Sequence, residues 1–332
     1  SHVAIAAPNH PEANGGIGFY EPNADKTSWT LTSIIGASDM GFEYGKAIGF
    51  DKSVSGSKQL FFYGGPSANP GGGSGNVGEV RLAIGNDGVG AGTADNYTTS
   101  TTELTYAGPN HSAYSADSTH FTDQFLGYSV AAHNGVVVAG APGARLLPDD
   151  AGRAANGPSG AVYVWVNNQD AGAVTAAAQV GYYRNTAILT GTVWNNGGAK
   201  MNNPAFGADV DIFNDTIVVG APSGDGGAAG TVSKAGRAFV FTAHDTMPRS
   251  EKWDHAAVLT ASDGAADDEF GTSVAMPNQN TIIVGAGSDD VFDGSCYIFT
   301  GYGSNWTQTQ KVTYTGANSD LFGGLDGSLA AT

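Results

Sequence analysis

Carboxylates are the side chains here most able to do chemistry, and they come in clusters. Asp289, Asp290 and Asp293 stand close together, Asp263, Asp267, Asp268 and Glu269 precede a Phe-Gly pair, and Asp149 adjoins Asp150. Hard cations of high coordination number take oxygen ligands, so calcium is the metal that the two larger groups could hold. No cofactor is required. Paired carboxylates can also act as acid and base on a glycosidic bond, but no pair is set apart from the rest. The histidines (His2, His10, His111, His120, His133, His244 and His255) form no His-x-x-x-His or His/Cys group, which argues against zinc. No Gly-x-Ser-x-Gly elbow occurs, and the Gly-rich stretch 70–75 has no following Lys or helix to make it a phosphate loop. No catalytic residue is assigned, and the expectation is a protein that is not an enzyme.

Ligand-facing candidates are therefore loop residues: Trp194, which falls outside the strand register, with Asp149, Asp150 and His120. Cys296 is the only cysteine, so internal disulfides are excluded, and it reads as a buried, inert thiol. Asn96, Asn110, Asn214 and Asn305 head Asn-x-Ser/Thr triplets and are the glycosylation candidates.

These residues sit in a chain of 332 with 41% hydrophobic and 14% charged residues, net charge −17 and 50 glycines. Such acidity disfavours nucleic acid, whose phosphates need cations, and disfavours anionic membranes. No run of apolar residues is long enough for a membrane-spanning helix, so no direct membrane insertion is expected. No signal peptide is visible, and Ser1 opens straight into a strand-like stretch, as in a processed segment. Few lysines, abundant Gly, Thr and Asn, and the glycosylation triplets read as extracellular or cell-surface.

The elements that position the carboxylates recur. The first is a Phe-Gly-like pair followed by alternation: Tyr44-Gly45, Leu126-Gly127, Phe206-Gly207, Phe270-Gly271 and Phe322-Gly323. The second is an apolar run ending in a Gly-Ala-Pro-like corner, at 3–8, 60–66, 136–142, 217–222 and 282–287. The third is Gly followed by small and aromatic residues in alternation, at 160–165, 236–241 and 294–299, with weaker copies at 16–20 and 78–82. The fourth starts at an aromatic residue and ends near Leu-Thr: Trp29…Ile34, Tyr183…Leu189, Trp253…Leu259 and Trp306…Val312, with Leu104–Tyr106 as a degenerate copy. Alternation at period two with Gly, Pro and Asn punctuation marks strands throughout.

Four strands per repeat, repeated radially, predict an all-β protein: a β-propeller of four-stranded antiparallel blades. The blades are 322–332 plus 1–36, 37–108, 124–191, 205–261 and 269–316, forming a single domain over 1–332. Five blades are expected, or six or seven if the chain is a fragment. The C-terminal strand joins the N-terminal strands to close the ring. Second-to-third and fourth-to-first connections open on one face in such a blade, and the long ones are of these kinds. That face is where binding is expected.

The motifs resemble FG-GAP repeats, the blades of integrin α-chain propellers and of bacterial, algal and protist extracellular proteins. Residues 253–299 (WDHAAVLTASDGAADDEFGTSVAMPNQNTIIVGAGSDDVFDGSCYIF) carry the likeness best and look like the short variety. The integrin-type Asp-x-Asp-x-Asp-Gly calcium loop between first and second strands is missing: those turns read His133-Asn134-Gly135, Asn214-Asp215-Thr216 and Asn278-Gln279-Asn280. The resemblance implies a non-enzymatic extracellular module for adhesion or structural assembly, with other proteins or glycans of a cell-surface or matrix assembly as partners. A glycan-binding lectin and a hydrolase or lyase with acidic loop residues are the alternatives.

Overall fold

The computed structural model describes residues 3–6, 16–35 (except 24 and 26), 46–51, 58–68, 78–86, 97–104, 124–144, 160–167, 183–190, 205–226, 231–244, 252–313 and 322–324. Among them lie five antiparallel sheets, taken in chain order. Sheet 1 holds β1 (Val3–Ala6), β2 (Ile17–Pro22) and β3 (Trp29–Ile35). Sheet 2 holds β4 (Ile48–Asp51), β5 (Lys58–Gly65), β6 (Glu79–Asn86) and β7 (Tyr97–Glu103). Sheet 3 holds β8 (Ser129–His133), β9 (Val136–Ala141), β10 (Ala161–Asn167) and β11 (Tyr183–Leu189). Sheet 4 holds β12 (Val210–Phe213), β13 (Thr216–Ala221), β14 (Arg237–Ala243) and β15 (Trp253–Leu259). Sheet 5 holds β16 (Phe270–Asn278), β17 (Thr281–Ala286), β18 (Ser295–Tyr302) and β19 (Asn305–Thr313). Each is a meander of neighbours in sequence, and sheet 1 has three strands where the others have four. This is the expected blade architecture of a β-propeller, and sheet 1 lacks its first strand as the repeat pattern requires. The strand expected to supply it, beyond 324, lies outside the described residues, as does Tyr44-Gly45.

Successive sheets meet through their first strands. Gly78, Gly160 and Gly236 make isolated parallel bridges to Leu126, Phe206 and Phe270 of the next sheet. All three glycines hold positive φ (82°, 83° and 81°), a region that side chains disfavour. A second contact is closer still. A Cβ on Gly64, Gly140, Gly220 or Gly285 would stand 1.9, 1.9, 2.0 or 2.0 Å from the carbonyl oxygen of Gly127, Gly207, Gly271 or Gly323. Backbone therefore lies on backbone at these four contacts. Farther from this contact, larger side chains fill the widening gap: Phe239 and Phe241 pack across one seam, Tyr297 and Phe299 across the next. The third and fourth strands shift register by one residue at the same place in four sheets, at Phe19/Tyr20, Val164/Trp165, Val240/Phe241 and Ile298/Phe299.

At the opposite end of the first strands, polar side chains latch each turn to the next. The Gly135 N–H donates to Asp51 Oδ2 at 2.6 Å, and the Asn214 N–H to His133 Nδ1 at 3.0 Å. Gln279 Nε2 donates to Asp215 Oδ1, and the Tyr302 hydroxyl to Asp215 Oδ2 at 2.8 Å.

Three strand expectations change. The pairing Ala6–Ile17–Ile35 matches Gly220–Ala238–Leu259, so Ile17 and not Gly18 stands where Ala238 does. The 16–20 copy is thus displaced by one residue. The fourth strand of sheet 2 is Tyr97–Glu103 rather than Leu104–Tyr106, and Leu104 only extends it through its N–H bond to Val80 at 2.9 Å. The acidic stretch after β17 is one turn of helix, α1 (Asp289–Phe292).

Gly220→Ala is expected to cost about 3 kcal/mol or more, because backbone cannot yield to the new methyl group. Gly303→Ala, where a Cβ meets nothing within 4 Å, is expected to cost only about 1 kcal/mol for its φ of +60°. Urea midpoints of the two variants check the difference.

Candidate functional site

The two large acidic groups, separate in sequence, converge at one end of sheet 5. Asp263 and Asp268 arrive on the connection from β15 to β16, Asp289 and Asp290 on α1 after β17. Fourth-to-first and second-to-third connections thus open on the same face. Between the carboxylates stands Lys311, from β19. Its Nζ is 2.7 Å from Asp289 Oδ2, 2.8 Å from Asp263 Oδ2 and 3.4 Å from Asp290 Oδ2. The Tyr297 hydroxyl lies 2.9 Å from Asp289 Oδ2 and 3.0 Å from Asp263 Oδ1, and Lys311 Nζ sits 5.3 Å from the Tyr297 ring centroid. Strand pairing sets this up: Tyr297 and Lys311 are direct partners in β18 and β19, so their side chains share one face.

Electrostatics follow from that packing. Burial opposes the charge of Lys311, but hydrogen bonds to Asp263, Asp289 and Tyr297 outweigh it and hold the ammonium above the usual lysine range. Burial raises the Asp263 carboxyl, and the bonds from Lys311 and Tyr297 more than reverse this, leaving it below the usual range. Burial pushes Tyr297 upward, and its contact with Asp289 adds to the shift. Asp268 is raised chiefly by burial, against the N–H bond from Ala265 at 2.6 Å. The protein's own ammonium therefore stands among the carboxylates. Among the described residues, no group of three or more His, Cys, Asp or Glu side chains is placed to hold a metal ion.

The other members of the acidic groups turn elsewhere. Asp267 faces Lys234 at 3.8 Å, exposed, and Asp293 ends α1 and accepts the Phe322 N–H at 3.0 Å on its carbonyl. Cys296 is buried, and burial pushes its thiol up to about 11, as expected of an inert cysteine. Asn305 is exposed at the start of β19. Asn214 is exposed in a tight turn, while Thr216 of its triplet is fully buried. Trp194, Asp149, Asp150, His120, Asn96 and Asn110 lie outside the described residues.

The chain from Trp253 to Phe299 contains β15, the acidic connection, the Phe270-Gly271 seam glycine and the Gly285 corner. This stretch, residues 253–299, matches the model of the FG-GAP repeat. The match runs from β15 of sheet 4 into β18 of sheet 5. No curated protein matches the chain. Among solved structures, a mutant of Trypanosoma rangeli sialidase displaying trans-sialidase activity aligns over 90% of this chain and 43% of its own, at 9% identity and a TM-score of 0.40. The chain thus spans less than half the length of that structure, and so loose a likeness says nothing about activity.

A second carboxylate pair lies in the seam between sheets 4 and 5. The Val274 N–H donates to Asp209 Oδ2 and the Met276 N–H to Asp211 Oδ2, each at 2.7 Å. In sheets 3 and 5 the place of Asp209 belongs to serine: Ser129 and Ser273 donate to the carbonyls of Gly207 and Gly323 at 3.0 and 2.8 Å. Enclosure of its carboxylate raises Asp209 to about 7, and burial raises Asp211 to about 6; the N–H bonds offset only part of this. The sequence reading missed Lys311, Tyr297, Asp209 and Asp211. Aligning Asp209 with Ser129 and Ser273 would have exposed the exception.

Both folded values exceed the ordinary 3.8, so the folded state favours the protonated forms. Their contribution to stability is full below about pH 4 and is lost as pH rises toward 7. Asp209→Asn should match wild type at pH 4 and exceed it by about 2 kcal/mol at pH 8, as paired urea titrations will measure. Lys311→Met leaves Asp289 buried without its cation. It should lower stability by on the order of 2 kcal/mol at pH 8 and make the melting temperature rise with added calcium, to which wild type responds less.

Proposed function

We propose that this chain is a non-enzymatic extracellular module for adhesion or structural assembly, presenting its long-loop face to other proteins or glycans of a cell surface or matrix. The observation that carries the reading is the employment of its carboxylates. Asp263 and Asp289 hold Lys311 and Tyr297, Asp209 and Asp211 hold the next strand, and Asp51 and Asp215 latch the turns. An acid or base in catalysis needs a free proton site facing a substrate. These carboxylates face their own backbone and side chains instead. FG-GAP blades serve as scaffolds, with specificity in the connections they display. The extracellular placement is supported by the same repeat type and by the acidic, lysine-poor composition.

Purified protein is expected to bind an immobilised cell-surface or matrix fraction, and to do so equally with calcium or with a chelator. The absence of both fraction binding and self-association would remove the reading. Binding confined to a glycan array would replace it with the lectin alternative.

A further inference from the structure

One buried cation in sheet 4 has no carboxylate to answer it. Arg237 opens β14 and is only 6% exposed. Residues two apart on a strand share a face, so it points toward sheet 3 with Phe239 and Phe241. Its Nε donates to the carbonyl oxygen of Asp225 at 2.6 Å. Among the described residues, Nη1 and Nη2 meet no acceptor and no carboxylate forms an ion pair with the guanidinium. Burial works against its charge, and the pull of the Asp225 carboxylate offsets only part of this.

The other sheets show what is missing. Arg237 pairs with Ala221 as Ser295 pairs with Ala286 and Ala161 with Ala141. The same place thus holds serine in sheet 5 and alanine in sheet 3. Sheet 2 has Glu79 there, which keeps Arg81 at 2.7 Å. In sheet 5 the Gly294 N–H donates to the carbonyl of Asp289, whose carboxylate holds Lys311. In sheet 4 the Gly236 N–H donates in the same way to Gly224, which has no side chain. The pair Tyr297–Lys311 gives way to Phe239–Val258. Sheets 2 and 5 balance a cation at this end with a carboxylate of their own, and sheet 4 leaves the carboxylate out.

We propose that Arg237 receives one carboxylate from outside, the Asp or Glu side chain of a partner protein docking on the long-loop face. Nη1 and Nη2 end the guanidinium in two parallel N–H donors, a fork that a carboxylate fills with both oxygens. The connection beside it is held in place, because Gly226 and Val232 exchange N–H bonds at 2.7 and 3.3 Å. A single cation in a chain of net charge −17 suits a single negative charge. A phosphate or a polyanionic chain brings more charge than Arg237 neutralises and meets the repulsion of the remaining carboxylates. The source of the carboxylate, a partner protein, rests on the binding-module reading, whereas the site itself is read on the isolated chain.

Sodium acetate is the probe, with sodium chloride at equal ionic strength as the reference. Replacing about 0.5 M chloride by acetate should raise the melting temperature of wild type by about 2 °C more than that of Arg237→Ser. Serine is the residue that sheet 5 carries there, so this variant keeps its fold, and the difference removes the effect acetate has on any protein. Arg237→Lys keeps the charge without the fork and should lose at least half of the extra shift. Equal acetate shifts in wild type and Arg237→Ser overturn the site, as does a larger extra shift with inorganic phosphate. An extra shift that appears only in Asp225→Asn also overturns it, because Asp225 then fills the fork in the native chain. Arg237→Ser should bind the cell-surface or matrix fraction about ten-fold more weakly than wild type. Undiminished binding by the variant removes the partner protein as the source. Failure of wild type to bind any fraction removes the binding-module reading, and the acetate difference then still decides the site.

Discussion

The structure depends on one contact: in sheets 2 to 5 a glycine of the second strand lies against the carbonyl of the glycine in the following Phe-Gly or Leu-Gly pair. At about 2 Å from that oxygen, no Cβ fits on the second-strand glycine. Two glycines, one from each sheet, are the only residues that bring the backbones so close without strain. The remaining letters of the repeat follow. The aromatic residue before the first glycine fills the space opened just beyond the contact, as Phe206 and Phe270 do, both fully buried. The alanine after the second glycine keeps the corner small, and proline ends the ladder where no amide hydrogen is wanted.

Where the seam is backbone on backbone, polar groups tie the first strands of neighbouring sheets together. Ser129 and Ser273 donate to carbonyls, while Asp209 and Asp211 accept from amides, so the seam is tied through both kinds of backbone group. Serine does this without charge. Aspartate does it at an electrostatic cost, since each enclosed carboxylate must be neutralised or solvated by the amides it meets. The seam between sheets 4 and 5 is therefore chemically unlike its neighbours, although its glycine geometry is the same.

The blade pattern was legible because it rests on local chemistry. Alternation, corner glycines and prolines give strands and their order from one repeat at a time. The displaced reading of residues 16–20 shows the limit of that approach. Gly16 imitates the motif glycine and Gly18 the small residue after it, and only the pairing of Ile17 with Ala6 and Ile35 fixes the register. In sheet 2, β7 is a polar strand of Thr and Ser whose membership comes from pairing with β6 rather than from its own pattern. The candidate site was half legible. Both acidic groups were visible, but Lys311 is 18 residues beyond Asp293 and reaches them only through the β18–β19 hairpin. A counter-charge supplied by a strand across a hairpin leaves no spacing signal near the acids.

Lys311 also sets how this end of sheet 5 experiences its surroundings. A dissolved cation can be diluted, exchanged or sequestered, and a fold that relies on one inherits those fluctuations. An ammonium attached to the chain has a fixed stoichiometry and no off-rate. The tip of this blade carries one counter-ion in its sequence, so a positive charge stands beside Asp263 and Asp289 whatever the medium contains.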